Sequence, residues 1–94
     1  MPRQAIEQIQ ALVRGWDYEV TDHAYEEMAD DDLLLTDVET AILTGTIVRE
    51  DKGDPRGSVY VIQGIGIDRQ SAVGAAVRFN EQENVVIITT YRVQ

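Results

Sequence analysis

Cysteine is absent from this sequence, which rules out a disulfide framework, a thiolate metal site and a cysteine nucleophile. That composition suits a reducing compartment, and the chain reads as cytoplasmic. Cations are scarce: eight Lys and Arg face 17 Asp and Glu, for a net charge of −9. Generic nucleic-acid binding, in which Lys and Arg neutralise phosphates, is therefore disfavoured for the chain as a whole. Long apolar runs are also missing, and no stretch approaches the roughly 20 residues that span a bilayer. Near the N-terminus Gln4, Glu7, Gln8 and Gln10 interrupt any apolar segment of the signal-peptide kind. The serines are only Ser58 and Ser71, and neither stands in a nucleophile-elbow context.

What remains is ordinary for a folded domain. Of the 94 residues, 44% are apolar and 27% charged, enough for one modest core and one domain over residues 1–94. The charge is unevenly spread. Residues 1–54 hold 14 acids and four bases, whereas residues 55–94 hold three acids and four bases. A locally basic C-terminal face is compatible with an acidic whole, although single arginines on strand surfaces explain the same numbers.

Periodicity divides the chain into a helical front and an extended back. From Gln4 to Val13 the apolar residues Ala5, Ile6, Ile9, Leu12 and Val13 make one helical stripe, with Pro2 at its start and Gly15 past its end. Trp16 to Thr21 reads as a brief extended segment. Thr21 or Asp22 then offers an N-cap for a second helix over about His23 to Asp31. The run Asp30-Asp31-Asp32 opposes the helix dipole at its C-terminus and predicts a break there. Thr36-Asp37-Val38-Glu39 has the form of a capping box for a third helix, which Gly45 would close in a left-handed conformation. Thr46 to Asp51, Ser58 to Ile67, Ser71 to Phe79 and Asn84 to Val93 read as strands joined by short links, hence antiparallel neighbours. The fold expected is α+β: N-terminal helices packed on one face of an antiparallel sheet of about four strands.

Candidate chemistry is sparse. His23 is the one side chain that ordinarily titrates near neutrality, so it is the available general acid–base group, or else a hydrogen-bonding residue in the first turn of its helix. Glu26, Glu27, Asp30, Asp31 and Asp32 could frame a cation with His23. Without an EF-hand glycine or a second histidine, however, the cluster reads first as a solvated acidic face, and no metal or cofactor is expected. Gly64-Ile65-Gly66 lacks the third glycine of a dinucleotide loop and reads as a strand irregularity or bulge. Trp16 and Tyr18, beside Asp17 and Glu19, read as the edge of the core rather than a base-stacking platform.

Three segments carry a family resemblance: Tyr18-x-x-Thr21-x-His23-Ala24 followed by Met28; Asp37-Val38-Glu39 through Ile42 and Leu43 to Gly45; and Val85 to Tyr91 at the end. In order and spacing, residues 16–93 resemble the bacterial and archaeal family called domain of unknown function 4258. The resemblance implies a fold similar to toxins of the RelE and BrnT type, which are ribonucleases in toxin–antitoxin pairs. It would place an RNA surface on the sheet, with Arg78, Tyr91 and Arg92 as candidate catalytic residues beside His23. The chain departs from the family pattern where arginines follow the T-x-H-A segment, because Glu26, Glu27 and Asp30 to Asp32 stand there instead. At an effective dielectric near 20, a unit charge 4 Å from a phosphate is worth about 4 kcal/mol, so such an exchange turns attraction into repulsion. The function expected is therefore protein association, with a basic or zinc-ribbon antitoxin-like partner or a second copy of the chain as homodimer. The alternative is an active, metal-independent endoribonuclease using His23 and the sheet residues, with RNA as its partner.

Overall fold

The computed structural model describes residues 2–93. Three helices and five strands follow in the order α1 (Pro2–Arg14), β1 (Tyr18–Val20), α2 (Asp22–Asp30), α3 (Leu35–Thr44), β2 (Thr46–Asp51), β3 (Val59–Ile65), β4 (Ala72–Phe79) and β5 (Val85–Arg92). The strands form one sheet in the order β1-β5-β4-β3-β2. From β2 to β5 the pairing is antiparallel throughout, as short links require. The α+β class follows from the sequence pattern, but the sheet has a fifth strand and is mixed. β1 runs parallel to β5, with Tyr18 opposite Val85 and Val20 opposite Ile87. The brief extended segment over Trp16 to Thr21 supplies this strand, but its partner lies at the far end of the chain with no turn to announce the pairing.

α3 lies on β3 and β4, α2 on β5, and α1 against α3. Ile9 and Val13 of α1, Ala24 and Met28 of α2, and Val38, Ala41 and Ile42 of α3 meet Ile62, Val73, Ala75, Val77, Val85 and Ile87 in a continuous core. Each large aliphatic side chain buried there contributes about 1.5–3 kcal/mol. A register shift between β4 and β5 passes from Ala76 opposite Thr89 to Val77 opposite Ile87, leaving Ile88 as the extra residue. This bulge changes the parity of β5, so that Thr90 turns inward and is 1% exposed, while Tyr91 turns to the other face.

The α3–β3 contact is close enough to demand glycine. A Cβ on Gly64 would lie 2.0 Å from the Ala41 carbonyl oxygen, and one on Gly45 would lie 2.4 Å from that of Gln63. Gly64 keeps regular register opposite Val73, so the Gly64-Ile65-Gly66 segment is not a bulge. Nor is Gly45 left-handed: its φ is −94°, and what excludes a side chain there is the approach of β3. The capping box expected at Thr36–Glu39 is also displaced. Leu34 is the N-cap, and Asp37 accepts from its amide at 3.0 Å while taking the Ile67 amide at 3.1 Å. Glu39 is instead engaged by the Tyr18 hydroxyl. At the other end of α3, Gln10 Nε2 donates to the Ile42 and Leu43 carbonyls at 3.0 and 3.3 Å.

Among the described residues no helix is long and apolar enough to cross a membrane.

Two predictions concern these elements. Gly64→Ala should cost at least about 2 kcal/mol in urea unfolding, because backbone rather than a movable side chain blocks the added methyl. The β3–β4 link turns on Asp68, which accepts from Ser71 Oγ at 2.6 Å and from the Gln70 and Ser71 amides at 2.9 Å each. Those bonds, the Ser71 hydroxyl foremost, hold its carboxyl at about 2, below the ordinary 3.8. Its contribution is thus complete above the ordinary value and is lost as pH falls toward 2. Acid titration followed by circular dichroism should show less pH dependence between those limits in Asp68→Asn than in the wild type.

Candidate functional site

The first half of β5 is paired by β1 as far as Val20–Ile87, and beyond that point α2 closes the strand's edge with side chains. Thr21 sits at the junction. Its backbone N–H donates to the Ile87 carbonyl at 3.1 Å. Its hydroxyl donates to the Ile88 carbonyl and accepts the Ala24 amide, both at 3.1 Å, the latter as N-cap of α2. One turn on, Glu27 Oε1 accepts the Thr90 amide at 3.1 Å, while Thr90 Oγ1 donates to the Ala24 carbonyl at 3.3 Å. Asp31 Oδ2 then accepts the Arg92 amide at 3.3 Å. Thr21, Ala24 and Met28, which carry much of the family resemblance, therefore hold α2 on the sheet; Ala24 and Met28 are buried.

Arg92 completes the same seam. α2 has no basic residue in its last turn. Its end is a Schellman turn in which Asp32 (φ 56°) donates to the Ala29 carbonyl at 3.3 Å and Leu33 to that of Met28 at 2.8 Å. The Arg92 guanidinium reaches across from β5 to the carbonyls of Asp31 (Nε, 2.7 Å) and Asp32 (Nη2, 3.0 Å). The cation that the helix end lacks in sequence thus arrives from the sheet.

The remaining candidates lie elsewhere. His23 is in the first turn of α2, with its side chain 66% exposed and its Nε2 3.4 Å from Glu27 Oε1. It and the carbonyls that hold Arg92 lie at opposite ends of a nine-residue helix, roughly 12 Å apart. Tyr91 and Arg78 are on the sheet face away from the helices. The Tyr91 ring covers Gly74, where a Cβ would come within 2.2 Å of it, and its hydroxyl accepts from Gln63 Nε2 at 3.0 Å. Arg78 stands opposite Val86, four residues along β4 from Gly74 and hence roughly 13 Å away. It borders a shallow depression of about 470 Å³ with Pro55 and Arg56. Nearby, Asp54 accepts the Arg56 amide at 2.8 Å, and that bond, aided by the charges of Arg56 and Arg78, holds its carboxyl below the ordinary value. His23, Arg78, Tyr91 and Arg92 are not gathered into one cleft. The acidic cluster is likewise divided, with Glu27 and Asp31 turned to β5. Among the described residues no group of three or more His, Asp or Glu side chains is arranged to hold a metal ion.

A different assembly occupies the β1 edge of the sheet. Trp16, Tyr18, Tyr25, Leu35 and Glu39 line an open groove of about 460 Å³ between β1, α2 and α3. Tyr18 is half-buried and donates its hydroxyl to Glu39; burial, and then the Glu39 carboxylate, push the phenol well above its usual range and keep it a neutral donor. Trp16 was expected at the edge of the core but is 79% exposed, and Tyr25 is 50% exposed. The signal for the groove was the Gly15-Trp16 step at the end of α1, an aromatic side chain where the helix has just stopped. Nothing local linked it to Tyr25, Leu35 or Glu39.

Helices on one face of a mixed sheet, with the opposite face uncovered and an aromatic groove at one edge, define a small α+β domain. Residues 20–92, more than three quarters of the chain, match the family described as Domain of unknown function (DUF4258), and the protein belongs to that family. The matched span runs from the last residue of β1 to the end of β5, leaving α1, Trp16 and Tyr18 outside it. No curated protein and no solved structure gives a significant match.

The seam between α2 and β5 generates a pair of predictions. Arg92→Ala should lower stability by about 1 kcal/mol, with Arg92→Lys restoring little because an ammonium cannot span both carbonyls. Asp32→Gly should raise stability by up to about 1 kcal/mol by relieving a left-handed non-glycine residue. Thermal unfolding of the three variants checks both.

Proposed function

We propose that this protein is a small cytoplasmic toxin-like domain that acts by associating with another protein. The observation that carries the reading is a pair of exposed aromatic side chains at one edge of an acidic molecule: Trp16 and Tyr25 are 79% and 50% exposed. Large exposed apolar side chains are unremarkable singly, but these two share one groove with Glu39. The layout of helices on one face of the sheet is what supports the likeness to RelE and BrnT toxins. The scatter of His23, Arg78, Tyr91 and Arg92, and the engagement of Arg92 by helix carbonyls, favour association over cleavage.

The ribonuclease reading keeps one observation in its favour, since Arg78 and Tyr91 share the uncovered sheet face. The two readings separate in a simple pair of measurements. Affinity purification and sizing should yield a stoichiometric complex, with a partner or with itself, that weakens at high salt. Induced expression should leave growth unchanged. A monomer that captures nothing at either salt concentration sinks the association reading. Growth arrest relieved by Arg78→Ala would favour the nuclease.

A further inference from the structure

We propose that the free edge of β1, with the groove beside it, takes up an extended basic segment of a partner protein as a sixth strand. This rests on the association reading and specifies its site and occupant.

The backbone supplies the first argument. β1 is the outermost strand, and its bonds to β5 run through alternate residues: the Asp17 carbonyl accepts from Val85 N at 3.3 Å and the Thr21 amide donates to the Ile87 carbonyl at 3.1 Å. In a strand the intervening residues direct their N–H and C=O groups the opposite way. Those of Tyr18 and Val20 therefore point off the sheet and have no strand partner among the described residues. An added strand would pair with these groups and extend the sheet over the groove.

Side chains supply the second. The Tyr18 and Val20 side chains face the helices, so alternate residues of an added strand would fall on the same side, against Trp16, Tyr25 and Leu35. Trp16 is held there against its backbone preference. It occupies the left-handed position of a second Schellman turn at the end of α1 (φ 62°), with its own N–H on the Val13 carbonyl at 3.1 Å and that of Asp17 on Leu12 at 2.8 Å. Glycine normally fills this position, and a bulky side chain there is an outlier. Trp16 buries little in exchange, so folding does not account for it. Strain at an exposed aromatic points to a role outside the fold.

Charge selects the occupant. Glu39 lines the groove, Glu19 borders it from β1, and Asp17 and Asp22 flank the strand; among the described residues no Lys or Arg lines it. A second copy adding through its own β1 would bring Asp17 and Glu19 against their equivalents, and like charges across a strand pair are destabilising. A strand alternating Lys or Arg with aliphatic and aromatic residues fits all of these features. Its aliphatic and aromatic side chains would pack in the groove, and its cations, on the opposite face, would meet Glu19.

The test uses the full chain and a fluorescent synthetic peptide alternating Arg or Lys with Val and Tyr. The controls are its Glu-substituted counterpart and a copy N-methylated at every second residue. Anisotropy should show binding of the basic peptide alone. Trp16→Gly should weaken it about tenfold or more, as removal of a central aromatic contact does, while raising the melting temperature. Val20→Pro deletes one outward N–H without touching the β5 ladder and should weaken binding to a similar extent while the circular dichroism spectrum stays native. The proposal is overturned if no peptide binds, if the methylated copy binds as well as the parent, or if both variants bind like the wild type. Salt-sensitive capture of a partner that survives both substitutions would overturn the site and leave the association reading standing. Dimers abolished by Val20→Pro would overturn the basic occupant in favour of a second copy.

Discussion

The edge of β5 away from β4 is the constraint on which the arrangement depends. Its N–H and C=O groups must be satisfied, or a largely apolar strand would present an open edge to any passing chain. Two unlike elements share the task. β1 pairs with residues Val85 to Ile87 by backbone, and α2 takes Ile88, Thr90 and Arg92 through Thr21, Glu27 and Asp31. Thr21 belongs to both, closing the parallel ladder with its amide and opening the helix with its hydroxyl. The bulge at Ile88 suits the change of partner, because it turns Thr90 inward to meet the Ala24 carbonyl. Once α2 is fixed on β5, the link through Leu33 and Leu34 delivers α3 to β3, where Gly64 and Gly45 allow contact at backbone distance.

Residue pattern alone was a good guide wherever the determinant was local. The stripe of Ile9 and Val13, the Thr21 cap, the bounds of β2 and the apolar first half of β5 are each set by neighbours a few positions away. It failed where a distant group took over a residue's hydrogen bonds. Thr36 and Glu39 have the spacing of a capping box, yet Tyr18 draws Glu39 off and Asp37 is shared with the amide of Ile67. Gly45 has the position of a left-handed terminator, yet it is required by the Gln63 carbonyl on another strand. The groove shows the same limit more sharply, because the turn after α1, β1, α2 and α3 each contribute to it and no two contributions share a motif.

The acidic character of α2 acquires a division of labour. Within one run of carboxylates, Glu27 and Asp31 are one helical turn apart and face β5, where each accepts a backbone amide. In that geometry both carboxylates already have donors from the strand they hold. The same seam explains how a helix ending in three aspartates survives its own dipole, since Arg92 brings positive charge to the terminal carbonyls from the strand that Asp31 is holding. The contact is reciprocal, so strand edge and helix end stabilise each other. The family resemblance makes Arg92 a candidate on an RNA-facing sheet; its guanidinium is turned instead to the helix end.

Two helices in this chain end in the same turn, and each places a residue other than glycine in its left-handed position. The comparison separates structure from function. At Asp32 the unfavourable conformation is offset locally, because aspartate tolerates it better than most residues and its carbonyl receives the Arg92 guanidinium. At Trp16 no such compensation exists: the residue is bulky, its ring is largely in solvent, and Gly15 stands one position too early to relieve it. Moving the glycine by a single residue would give an ordinary helix end and remove the aromatic wall of the groove. The chain instead keeps the strain at the point where its sheet stops one strand short and its surface is both apolar and acidic. A binding edge for an extended cationic segment accounts for that combination, whereas a requirement of the fold does not.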